Sequence, residues 1–221
     1  MNTTSSTTPV PRSTAILLAA GVSSRMGRLK PLLPWFGRTL VEAQIDALLT
    51  GGVDEVIVVT GSRGDEVAPF IRGDNVRRVH NPRFSEGKTT SIKAGIAALA
   101  PGVGIIVLLA VDQPRPAWVV RRMLESHAAS GAPATSPRHE SHGGHPLVFD
   151  GGLRAELAAI SEDKQGIREV MKRHGDRVNW VPFDSPIVRL DMNTPEAYER
   201  ALEIFAESQS LPNPADTSQR S

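Results

Sequence analysis

The stretch that most constrains this chain runs from Thr14 to Pro34 and reads Thr-Ala-Ile-Leu-Leu-Ala-Ala-Gly-Val-Ser-Ser-Arg-Met-Gly-Arg-Leu-Lys-Pro-Leu-Leu-Pro. Ala15 to Ala20 is a continuous apolar run closed by Gly21, the pattern of a short strand buried on both faces. That strand leads straight into a segment suited to a polyphosphate. Gly21 and Gly27 let the backbone approach a ligand, Ser23 and Ser24 supply donors, and Arg25 and Lys30 supply two positive charges. Neither common glycine fingerprint fits. A Walker A loop has four residues between its glycines and a lysine directly after the second, whereas here five intervene and Lys30 comes three residues after Gly27. The dinucleotide fingerprint needs a third glycine opening a helix, and positions 28 to 30 are Arg-Leu-Lys.

The rest of the chain supports a local anion site on an α/β scaffold. Its 221 residues are enough for one domain with a core of its own, and a net charge of +1 gives no broad field for nucleic acid or an anionic membrane. There is no cysteine, which excludes disulfides, iron-sulfur clusters and thiolate zinc sites. The first residues lack the basic and apolar regions of a secretory signal and no apolar run reaches membrane-spanning length, so a cytoplasmic location is expected. Residues 1–12 and 209–221 are poor in apolar side chains and are expected to be disordered tails around a folded domain at 13–208.

Strand and helix signals alternate between glycine turns. Arg38 to Leu49 has helical spacing and stops at Gly51-Gly52, Glu55 to Thr60 is β-branched, Asp65 to Ile71 suits a short helix, and Val76 to His80 a short strand. Thr90 to Ala100 reads as a helix and Gly104 to Val111 as the most apolar strand. Beyond Pro114 the pattern loosens: helices are expected at Ala117 to Ala129, Gly166 to His174 and Thr194 to Ala206, and strands at Pro146 to Asp150 and Val178 to Phe183. The alternation predicts an α/β fold, a mostly parallel, doubly wound Rossmann-like sheet.

The glycine loop closely resembles the signature Leu-Ala-Ala-Gly-x-Ser-x-Arg-Met-Gly-x-x-Lys of nucleotidyltransferases with a MobA-like fold. Within that group it is most similar to the molybdenum-cofactor (molybdopterin) cytidylyltransferases. The resemblance covers most of residues 14 to 200 and implies a three-layer α/β/α sandwich of the nucleotide-diphospho-sugar transferase type. It further implies Mg2+-dependent transfer of CMP from CTP to the terminal phosphate of molybdopterin with release of pyrophosphate, and a molybdenum hydroxylase as a possible partner. Related guanylyltransferases carry Leu-Ala-Gly-Gly where this chain has Leu18-Ala19-Ala20-Gly21. The Ala20 methyl would narrow the space beside the base and favour a pyrimidine. The alternatives are guanylyl or cytidylyl transfer to another phosphate acceptor, methylerythritol phosphate or a sugar phosphate, or a non-catalytic nucleotide-binding accessory role for a molybdenum hydroxylase.

Several residues can be weighed on both grounds. Asp112 directly follows the apolar strand, in Val-Asp-Gln-Pro, where a βα loop would present it as a magnesium ligand; it could equally cap a helix near Pro116. Asp191 begins Asp-Met-Asn-Thr-Pro-Glu, which resembles the family's late metal-side segment but is also a good helix N-terminus through Asn193 or Thr194 and Pro195. The resemblance assigns Leu18, Ala19, Ala20, Gly21, Ser23, Ser24, Arg25, Gly27, Lys30, Asn81 and Ser91 to the nucleotide, with Arg25, Lys30 and Asp112 catalytic. It assigns Gly144, His145, Pro146, Asp163, Gly166 and Arg168 to the acceptor. There the chain departs from the family's Gly-Asp-x-Gly-Ala-Arg, with Glu162 in place of the first glycine and Ile167 in place of the alanine. His139, His142 and His145 lie close in sequence, but the glycines and proline among them do not suit a ligand helix for zinc.

Overall fold

The computed structural model describes residues 12–22 and 26–210. The strands are β1 (Ser13–Ala19), β2 (Pro34–Trp35), β3 (Arg38–Thr39), β4 (Glu55–Thr60), β5 (Val76–His80), β6 (Ile105–Ala110), β7 (Ala134–His139), β8 (His142–Gly143), β9 (Leu147–Asp150) and β10 (Val178–Pro182). The helices are α1 (Leu40–Thr50), α2 (Gly64–Val67), α3 (Lys88–Ala97), α4 (Ala117–Ser130), α5 (Arg154–Ala159), α6 (Ile167–Arg173) and α7 (Pro195–Ser210). The main sheet runs in the order β10-β7-β9-β6-β1-β4-β5, with β8 paired to β7. All its neighbours along that path are parallel except β9, which is antiparallel to both β6 and β7. The fold is the expected mostly parallel α/β sheet with helices on its faces.

Why the apolar runs form the centre follows from the pleat. Successive residues of β1 point to opposite faces, so Ala15, Leu17 and Ala19 join one hydrophobic cluster and Ile16 and Leu18 the other. Every residue of β1, β4 and β6 is buried, as a sheet covered on both sides requires. Gly95 lets α3 press onto β1, since a Cβ there would lie 2.4 Å from Cγ2 of Ile16. This close approach brings the start of α3 beside the loop that follows β1.

The N-terminal half matches expectation closely, and α1 carries a full capping box between Thr39 and Glu42. The expected helix at Asp65 to Ile71 is instead the single turn α2 followed by a 3-10 turn at Ala68–Phe70. Four features were not anticipated: the β2-β3 hairpin, the strands β7 and β8, and the helix α5. Ala134 to His139 contains a proline and few apolar residues, yet it is a strand because β10 and β9 flank it. Pro137 is tolerated there because β9 pairs only at Ala134 and Thr135, and β8 only at Arg138 and His139, so the proline falls between the two ladders. The expected tails lie largely outside the described residues, and α7 itself continues to Ser210.

From β1 the chain passes to β4 and β5 on one side, then returns to β6 on the other. The carboxyl ends of β1 and β6 therefore flank a topological switch point, where open α/β sheets leave a crevice for ligands.

Candidate active site

A cavity of about 310 Å3 opens at that switch point, lined by Leu18 to Val22, Lys30, Pro31 and Ala110 to Asp112 on one side and by Phe84, Gly87, Lys88 and Ser91 on the other. Val111 N donates to Leu18 O at 2.9 Å, which holds the two strand ends together as they diverge into loops. Of the residues expected at the nucleotide, Leu18, Ala19, Ala20, Gly21, Lys30 and Ser91 line this cavity. Ser23, Ser24 and Arg25 lie outside the described residues. Asn81 is buried behind the wall, its amide donating to Thr90 Oγ1 and Ser91 Oγ at 2.9 Å, and it fixes the turn against α3 rather than lining the cavity. Gly27 does not line it either.

Lys30, Asp112, Asp191 and Asn193 converge although up to 163 positions separate them in sequence. Lys30 Nζ lies 2.7 Å from Asp112 Oδ2 and donates to Asn193 Oδ1 at 2.6 Å, while Asn193 Nδ2 donates to Asp191 Oδ1 at 2.5 Å. Met192 N donates to Asp112 O at 2.9 Å, stitching the two acidic segments along their backbones. Partial loss of solvent around Asp191, followed by the negative charge of Asp112, raises the Asp191 pKa above the ordinary carboxylate value. Asp112 does not cap α4, whose N-cap is Pro116 with no side-chain bond. Thr194 does cap α7, accepting from Ala197 N at 3.2 Å, so the Asp191 carboxylate is not used for that purpose.

Arg115 is the residue that sequence reasoning missed. Its side chain is fully buried and donates only to main-chain carbonyls among its recorded bonds: Pro114, His145 and Val188 at 2.7 Å and Leu190 at 3.1 Å. One planar fork thus joins the loop after β6, the turn before β9 and the segment that ends at Asp191. Burial pushes its pKa down to about 9, against the pull of Asp191 and Asp112, so it remains charged at neutral pH. Nothing in the local sequence Gln-Pro-Arg-Pro signals this role, because all but one of its partners are about 30 or more residues away.

A second cavity, of about 680 Å3, lies beside the first, and Lys88 lines both. Its walls include Asp191, Gly144, His145, Gly166 and Arg168, which bears on four of the expected acceptor positions; Pro146 and Asp163 do not line it. Burial, then the positive charges of Arg115 and Lys88, push the His145 pKa down to about 3, so its ring is neutral. Its Nδ1 is buried without a hydrogen-bond partner. His139 Nδ1 is taken by Phe183 O at 2.9 Å and His142 sits by Ser141, so the three histidines do not share a centre. The Glu162 departure has a clear physical role: its Oε1 accepts from Thr89 N at 2.8 Å, capping α3. The carboxylate reaches that amide over Gly87, whose φ of +118° and missing Cβ leave the room; a Cβ would lie 2.4 Å from Glu162 Oε1.

Among the described residues no group of three or more His, Cys, Asp or Glu is placed to hold a metal. The available set is two carboxylates and an amide oxygen, all hard ligands, which suits a cation that takes its other ligands from phosphate and water. Among the described residues no helix is long and apolar enough to cross a membrane.

Residues 15–178 match the MobA-like NTP transferase domain. Nicotine blue oxidoreductase of Paenarthrobacter nicotinovorans is 36% identical over 203 residues, covering 88% of this chain and 98% of that protein. Molybdenum cofactor cytidylyltransferase of Escherichia coli is 29% identical over 198 residues, covering 87% and 96%. Among solved structures, Rv0371c of Mycobacterium tuberculosis superposes with a TM-score of 0.76 at 30% identity over 87% of this chain and 98% of its own, and another structure of it is a complex with manganese, with a TM-score of 0.69 at 28% identity over 87% and 98%.

Proposed function

Because the chain belongs to the MobA-like NTP transferase family and is a nucleotidyltransferase of that type, we propose that it transfers CMP from CTP to the terminal phosphate of molybdopterin. The single observation that carries the reading is the meeting of Lys30, Asp112, Asp191 and Asn193 between two adjoining cavities. The smaller cavity takes the nucleotide, with the Ala20 methyl restricting the space for the base. The larger takes the acceptor. A molybdenum hydroxylase is the class of enzyme that would use the product.

An oxygen of the acceptor phosphate attacks the α-phosphorus of CTP; the new P–O bond forms as the bond to the β-phosphate oxygen breaks, and pyrophosphate leaves. The acceptor phosphate, with a second pKa near ~6, is already ionised at neutral pH and needs no general base. This agrees with His145, whose pKa of about 3 makes its ring a poor proton acceptor at neutral pH. Asp112, Asp191 and Asn193 would hold Mg2+ or a similar cation, which would offset both the burial and the Asp112 charge that raise the Asp191 pKa. When bound, such an ion neutralises charge on the reacting phosphates. Lys30, with Arg25, neutralises the departing pyrophosphate, and Lys88, lining both cavities, faces both substrates.

The test is magnesium-dependent pyrophosphate release with CTP, GTP, ATP and UTP, each with and without molybdenum-loaded molybdopterin. Release with CTP only in the presence of the pterin supports both substrates. Release with GTP overturns the Ala20 argument, release with a methylerythritol or sugar phosphate overturns the acceptor, and redox turnover in place of pyrophosphate release would turn the reading toward the activity in the name of the 36% identical relative.

A further inference from the structure

The acceptor cavity is lined by chemically different side chains: Lys88 and Asp191 are charged, whereas Leu147, Ile167, Met171 and Trp180 are apolar. Trp180 is unusual for an indole on the last strand of the sheet, because it is 38% exposed and one of few large apolar side chains left uncovered among the described residues. It is nevertheless held in place. The Arg138 guanidinium lies over its ring at 4.3 Å from the centroid, and the ring edge packs on Gly143, where a Cβ would come within 3.2 Å of Cζ3. The sheet register explains the arrangement: Trp180 pairs with Ser136, and Arg138 pairs with Gly143, so the four positions share one face.

We propose that Trp180 is a stacking platform for a planar heteroaromatic ring on the acceptor, with Arg138 and Gly143 fixing the indole for that purpose. An indole ordered before binding loses little rotamer freedom when a ring stacks on it. Leu147, Ile167 and Met171 add apolar surface to the same cavity, which suits the edge and face of a ring. The acceptor that fits is one that carries both a phosphate and a flat ring. The inference rests on the nucleotidyl-transfer reading for the phosphate, but the ring subsite can be tested without turnover.

The experiment is calorimetric binding of dihydroneopterin monophosphate, a phosphorylated pterin, and of ribose 5-phosphate to the wild-type protein, Trp180→Ala and Trp180→Phe, with thermal melts to confirm folding. Loss of one stacked ring is expected to weaken the pterin phosphate about tenfold or more in Trp180→Ala. Trp180→Phe should restore most of the affinity, and ribose 5-phosphate should bind the wild type and Trp180→Ala alike. The wild-type indole should also show saturable fluorescence quenching by the pterin that Trp180→Phe lacks. Unchanged pterin binding in Trp180→Ala, no pterin binding by the wild type, or an equal loss for both ligands would overturn the proposal. Failure of pyrophosphate release with molybdopterin would instead remove the cytidylyl reading, and leaves these binding results to be judged separately.

Discussion

Arg115→Met is the perturbation that best tests how the acidic centre is held. The guanidinium is fully buried and donates to four carbonyl oxygens, those of Pro114, His145, Val188 and Leu190. Methionine is of similar length and apolar, so it fills the space but donates nothing. The Val188 carbonyl keeps the His145 N–H at 2.9 Å, while the other three lose this donor. Each buried carbonyl left without its donor costs about 1 to 1.5 kcal/mol at the lower end of the usual range, which sums to about 3 to 4.5 kcal/mol. At roughly 2 to 4 °C per kcal/mol for a chain of this size, the midpoint should fall by about 6 to 18 °C.

The functional consequence is separable from the loss of stability. His145 and the Val188 to Leu190 segment are anchored by the same fork, so assays well below the lowered midpoint should still show a raised KM for the acceptor and a lower kcat, with KM for CTP little changed. Arg115→Lys keeps a charge but lacks the planar fork, and should fall between the wild type and Arg115→Met in both respects. A midpoint for Arg115→Met within about 2 °C of wild type would refute the reasoning, since it would mean that the carbonyls find other partners at no cost.

Lys30→Ala and Asp112→Ala should each lower kcat by about 10²- to 10⁴-fold in pyrophosphate release while circular dichroism and the thermal midpoint show a retained fold; near-normal turnover in either would remove it from the catalytic centre. Asp191→Asn should stabilise the metal-free protein at neutral pH. The folded pKa of Asp191 is raised, so its ionisation costs stability at neutral pH, and that cost disappears as pH falls through the folded pKa. The gain should therefore shrink on acidification in chelator-treated urea melts, and added Mg2+ should reverse the order by stabilising only the wild type; an order unaffected by either treatment would contradict the assignment. Glu162→Gln keeps an oxygen for Thr89 N but removes a charge from the acceptor cavity, so KM for a phosphorylated acceptor should fall severalfold with little change in melting; a rise in KM would mean that the carboxylate itself binds the acceptor.

The central strands were legible because their signal is local. Ile16 to Leu18, Val56 to Val59 and Ile105 to Val111 are apolar on consecutive positions, which a strand covered on both faces can use, and the glycines after β1 and β4 mark where the chain turns. β7 was not legible because its strand state comes from its neighbours: Thr135, Ser136 and Pro137 have no strand pattern, and β10 and β9 supply the pairing from 44 and about 13 positions downstream. The same distinction governs the acids. Asp112 stands out through the strand before it, but its environment is set by Lys30, Met192 and Asn193, which meet it only in the folded chain.

The two cavities differ in the same way, and this bears on how acceptor choice is encoded. On the nucleotide side Leu18 to Val22, Lys30 and Pro31 all come from one stretch of sequence, so a single motif describes much of the lining. The acceptor side gathers side chains from α3, β7, the turn before β9, α6, β10 and Asp191, and no window of sequence contains more than a part of them. A change there acts through pairs. Glu162 caps α3 over Gly87, where a Cβ would lie 2.4 Å from its Oε1, and Trp180 packs closely on residue 143, where a Cβ would lie 3.2 Å from the ring edge. The motif therefore reports the reaction, whereas the acceptor is decided by couplings such as 87 with 162 and 143 with 180. Double variants across those pairs, Gly87→Ala with Glu162→Gly and Gly143→Ala with Trp180→Phe, should show losses in acceptor binding smaller than the sum of the single losses, and strict additivity would mean that the pairs do not act as units.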